Sequence, residues 1–132
     1  MTLKLYKCFP YILQVTDNMD INSNGQAQGP YVRIRKGKEG DKGLLYHELK
    51  HVQQWYYWIL FLGIPHSLLY RYYKPYRQWS EVSAYRKQLE YDHPRYTKDE
   101  LREMYAGWLS DPSPVTGYGL TLTKERALQL LS

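Results

Sequence analysis

The chain has 132 residues, of which 43% are apolar. That is one domain's worth of sequence with enough apolar side chain for a core, which excludes a mainly disordered polypeptide. Lys and Arg number 18 against 13 Asp and Glu, a net charge of +5; this suits anionic surfaces, but the basic residues form no dense run and nucleic-acid binding is not expected.

Residues 3–15 read as one or two strands, irregular at Pro10. The amino terminus carries no secretory pattern, so a cytoplasmic protein is expected. Cys8 is the only cysteine, which excludes a disulfide framework and a four-cysteine zinc site. Set among Tyr6, Phe9 and Tyr11, it is expected to be a buried thiol. Residues 17–30 are polar and turn-rich, hence a loop. Tyr31–Arg35 alternates apolar and basic side chains, the pattern of a half-buried strand. Arg33, Arg35, Lys36, Lys38 and Lys42 are broken up by Glu39 and Asp41 and read as a solvated strand edge and turn.

A helix is predicted from about Leu44 to Gly63 and Pro65, then an aromatic connector over 66–75. A second long helix is predicted over about 76–91. Thr97 and Glu100 have the spacing of a capping box and start a third helix, which runs to about Leu109. Residues 111–119 read as a loop, and Thr123 caps a short final helix. The 19 residues from Val52 to Tyr70 carry no Asp, Glu, Lys or Arg. Their Gln, Gly, Pro and His interruptions argue against a membrane span. A buried helix with its connector is expected there. The alternative is a surface over residues 55–73 that meets a membrane or an apolar protein partner.

The segment that carries chemistry is His47-Glu48-Leu49-Lys50-His51. On a helix, positions i and i+4 share a face one turn apart, so both imidazoles can reach one ion. Zinc accepts imidazole nitrogen at about 2.0–2.1 Å in tetrahedral geometry. Glu48 lies about 100° around the helix from His47, where it can take a proton from water at the ion. Chance yields this pattern roughly once in 150 chains of such composition. Leu44, Leu45, Val52 and Trp55 supply an apolar backing.

A catalytic zinc keeps three protein ligands and one open position. The third ligand must come from another element, and His66, His93, Glu81, Glu90 and Asp92 are available. Glu81 leads because it sits on the next long helix, with small Ala84 at i+3 to let the two helices approach.

His47 to His51, followed by Glu81 in a Glu-x-x-Ala-Tyr setting, resembles the gluzincin zinc metallopeptidases. More narrowly, Leu44 to Gln54 and the Glu81 helix resemble small zincin-like domains common in bacterial and phage genomes. The resemblance covers about residues 31–90. It implies an α+β fold spanning 1–132 as a single domain, with a short antiparallel sheet packed on an active-site helix and on a second, glutamate-bearing helix. It further implies Zn2+ held by His47, His51 and Glu81, with Glu48 as general base and a peptide or protein as substrate. Tyr85 stands where many gluzincins carry an Asp, and is a candidate to hydrogen-bond a ligand or the oxyanion. His66 and Tyr118 are further oxyanion candidates. Residues 31–35 would be the sheet edge that receives an extended peptide. The competing expectation is an inactive zinc-containing module that docks through its aromatic surface.

Overall fold

A computed structural model describes all 132 residues. Four strands open the chain: β1 (Thr2–Tyr6), β2 (Phe9–Val15), β3 (Gly25–Gln28) and β4 (Tyr31–Ile34). Five helices follow: α1 (Lys42–Leu62), α2 (His66–Tyr72), α3 (Lys74–Gln88), α4 (Lys98–Ser110) and α5 (Lys124–Leu131). The fold is α+β, as expected.

The sheet order is β1-β2-β4-β3. β1 and β2 form an antiparallel hairpin, β4 pairs antiparallel with β3, and β2 runs parallel to β4. The sheet is therefore mixed rather than antiparallel. The parallel step arises because the chain leaves β2, loops through 17–24 and returns along β3 before β4.

Two expectations change with this topology. β4 lies inside the sheet, hydrogen-bonded on both sides, and cannot receive another strand. The edges are β1 and β3, the latter in the stretch that reads as a loop. Cys8 is exposed, not buried. It sits in the two-residue turn of the β1–β2 hairpin, where Lys7 takes a left-handed φ of 54° and turns the chain outward.

α1 starts two residues before Leu44 because the Asp41 carboxylate accepts the Leu44 amide at 2.9 Å, capping the free helix end. It ends at Gly63, whose φ of 62° is open to glycine without strain. The aromatic connector is largely the short helix α2. Pro75 lies in the first turn of α3, where its missing N–H costs nothing, so that helix begins before Tyr76. The Thr97–Glu100 capping box forms in full, and Thr123 caps α5.

The apolar interior is divided in two. One cluster joins the sheet to α1 through Tyr6, Tyr11, Val32, Ile34, Leu49 and Val52. The other joins α3, α4, α5 and the segment before α5 through residues such as Val82, Leu101, Leu109 and Leu120. α1 and α3 pack along each other between the two, with Val52 and Ala84 fully buried. The charge-free segment does not stay in the interior. From Tyr57 onward most of its large apolar side chains face solvent.

Candidate metal centre

Where α1 meets α3, a polar group of side chains is buried: His47, Gln54, Ser80 and Glu81, with half-buried His51 beside them. One donor atom each from His47, His51 and Glu81 falls within 4.8 Å of the others. His47 Nε2 lies 3.5 Å from Glu81 Oε2, and His51 Nε2 lies 3.5 Å from Glu81 Oε1. A charged N–H···O bond would be shorter, about 2.7–2.9 Å. Ligands on a tetrahedral zinc at 2.0–2.1 Å stand ~3.3 Å apart, close to the two imidazole–carboxylate distances, which reach different oxygens of Glu81; taken one donor atom per residue, the set lies within 4.8 Å. Glu81 Oε2 has no hydrogen-bond partner although it is buried. A buried carboxylate oxygen left in this way is costly, and a cation at the centre of the three residues would satisfy it. The donor set and spacing therefore fit a metal ion. They do not select zinc over other metals that take imidazole and carboxylate.

His51 is held from behind. Its Nδ1 is 3.1 Å from both Gln54 Oε1 and Ser80 Oγ. Ser80 Oγ donates to Gln54 Oε1 at 2.6 Å, and Gln54 Nε2 donates to the Ser80 carbonyl at 3.4 Å. An amide oxygen only accepts, so Nδ1 carries a proton, and in the neutral imidazole that a metal would bind, Nε2 is the nitrogen with the free lone pair. His47 is held differently. Its Nδ1 has no partner, and its ring packs edge-on against Tyr85 at a centroid distance of 4.5 Å.

The charges are strongly coupled. Burial alone would push the Glu81 carboxyl up, but the His51 and His47 imidazoles outweigh it and hold the group below the ordinary carboxylate range. Burial alone would lower His51, yet the adjoining Glu81 carboxylate raises it to about 9. Metal-free protein thus holds a His51–Glu81 ion pair at neutral pH. Glu48 is buried too, and its carboxyl is raised above the ordinary value by burial, against the opposing pull of His47 and His51. It faces β3: a side chain at Gly25 would run into the Glu48 carboxylate.

The remaining candidates divide. Tyr85 is buried, but its hydroxyl is joined to the Tyr118 hydroxyl at 2.5 Å rather than to a histidine. Burial and the nearby Glu81 charge push both phenols up, so both are neutral. His66 approaches the site, 6.2 Å from His51 between ring centres, and its Nδ1 meets the Tyr76 hydroxyl at 2.6 Å. Burial, reinforced by the His51 charge, lowers it to about 4. Glu90 pairs with Lys87 and Asp92 lies near Lys98, both away from the cluster. His93 is 4.0 Å from Asp41.

Three participants were not anticipated. The Tyr70 hydroxyl on α2 donates to Glu81 Oε1. Its spacing from the motif carries no signal, because the turn at Gly63–Pro65 sets where α2 falls. Gln54 and Ser80 were more accessible. Gln54 is at i+3 from His51 and i+7 from His47, hence on the ligand face, and Ser80 directly precedes Glu81.

Comparison with family models, with curated proteins and with solved structures returns no match to this chain, so the His47–His51–Glu81 centre stands on its own geometry.

Proposed function

We propose that the chain is a zinc-dependent hydrolase of gluzincin type that cleaves peptide bonds. The observation that carries this reading is the spacing of His47, His51 and Glu81 as ligands of one ion, with a second carboxylate, Glu48, in their immediate field. Zinc, when bound there, supplies the Lewis acidity that makes water a nucleophile at neutral pH and polarises a carbonyl. Glu48 has the role of base. Its raised carboxyl lies nearer the working pH than an exposed glutamate, which suits it to take a proton from the attacking water and return it to the departing amine. Tyr70, neutral because burial and Glu81 push its phenol well up, is a donor at the edge of the site. The open edge of β3, beside Glu48, offers backbone groups to an extended peptide.

The test is cleavage of an unfolded protein by the zinc-loaded chain. Turnover that chelator abolishes, and that Glu48→Gln lowers by about 10²–10⁴-fold with metal content unchanged, is expected. Absence of turnover in the fully loaded wild type would remove the peptidase assignment. Equal turnover in Glu48→Gln would remove its role as base.

A further inference from the structure

The second half of α1 and all of α2 form a hairpin whose outer surface is apolar. Tyr57, Leu60, Phe61, Leu62, Leu68 and Tyr72 are exposed, Phe61 at 75% and Tyr72 at 72%. α2 has no fully buried residue. Single exposed apolar side chains are ordinary, but a contiguous run on one projecting tip marks a contact surface.

The distribution of charge selects the occupant. None of the 13 acidic residues falls within 49–80. Arg71 and Lys74 are exposed there, and the Arg71 guanidinium lies over the Tyr72 ring at 5.5 Å. Arg77 is turned inward onto the carbonyls of Tyr70, Arg71 and Tyr118. The hairpin is thus graded. A tip of leucine, phenylalanine and isoleucine over 60–64 bears no charge, exposed Tyr72 and Tyr73 stand behind it, and unopposed cations come next. The same order (acyl chain, interfacial ring, phosphate) runs from the interior to the surface of a bilayer leaflet. No helix is long and apolar enough to cross a membrane, so the contact is shallow.

We propose that this hairpin docks the protein on an anionic lipid membrane, with residues 60–64 in the outer acyl region and Arg71 and Lys74 on lipid phosphates. The inner side of α2 meets the metal centre through Tyr70 and His66. Docking therefore leaves the ligands on the side of α2 away from lipid. It does not depend on the hydrolase reading, since it needs only the folded surface.

The experiment is co-sedimentation of the full chain with phosphatidylcholine vesicles, with and without phosphatidylglycerol. Strong binding to the mixed vesicles and weak binding to the neutral ones is expected. The double variant Phe61→Ser, Leu62→Ser should lose about tenfold or more in partition. Arg71→Gln and Lys74→Gln should each lose about fivefold, on anionic vesicles alone. All four side chains are exposed, so circular dichroism melts should match wild type. No binding to the mixed vesicles, or binding that survives the double substitution, overturns the proposal. So does a dimer abolished by that substitution in a chain that ignores vesicles, which would assign the tip to a second copy.

Discussion

Gly25 offers a way to move the proposed base without touching the metal ligands. A Cβ at this position would stand 2.7 Å from Glu48 Oε1, 2.9 Å from Leu44 Cδ1 and 3.0 Å from Glu48 Cγ. Gly25 is not among the left-handed glycines, so the strand itself accepts alanine. The contact must be relieved by displacing the Glu48 carboxylate. Overpacking of this kind costs about 1–3 kcal/mol. Restricting the unfolded chain by replacing glycine returns about 0.4–1 kcal/mol. Gly25→Ala should therefore fold, with a net loss of no more than about 2.6 kcal/mol. Turnover should fall much further, toward the roughly 10²–10⁴-fold contribution of a positioned base. Peptide cleavage, metal content by elemental analysis and thermal unfolding, measured on one preparation, separate the effects. Wild-type turnover in a fully loaded Gly25→Ala protein would refute the reasoning. Joint loss of metal and turnover would refute it as well, since the methyl would then be disturbing the ligands.

The ligand assignment predicts that Glu81→Ala lowers metal stoichiometry well below one per chain, and unchanged metal content would move the third ligand elsewhere. In metal-free protein His51 is raised to about 9. The stability it gains from Glu81 is therefore complete below the unfolded-state value, about 6.5, and is lost as pH rises through about 9. Thermal unfolding of chelator-stripped protein across that range should show the loss, and Glu81→Gln should flatten it. Leu109→Ala, in the α3–α4–α5 cluster and fully buried, should cost about 2–5 kcal/mol in denaturant titration while leaving the metal ligands in place.

Features governed by local chemistry were legible in the chain. The Thr97–Glu100 box, the Thr123 cap and the Gly63 stop each act within one turn, and all three form. The proximity of Glu81 to the two histidines was legible because helix periodicity and one small residue, Ala84, restrict how α1 and α3 can meet. What escaped was set by distant contacts. β3 reads Gly-Gln-Ala-Gln, with no β-branched or aromatic side chain, and is a strand only because β4 pairs with it and α1 lies beneath it. Tyr31–Ile34 has the alternation of an edge strand, yet alternation reports which face is wet and not which side is paired. Tyr70 reaches Glu81 through the placement of α2, and the outward turn at Lys7 exposes Cys8. Neither has a periodic signature.

The division of the interior into two apolar clusters gives the centre a second consequence. His47 and His51 belong to the half built on the sheet, and Glu81 to the half built on α4 and α5. An ion gripped by all three would act as a rivet through the joint. With it in place the joint should tighten, and chelator-stripped protein should unfold at a lower temperature than the loaded chain.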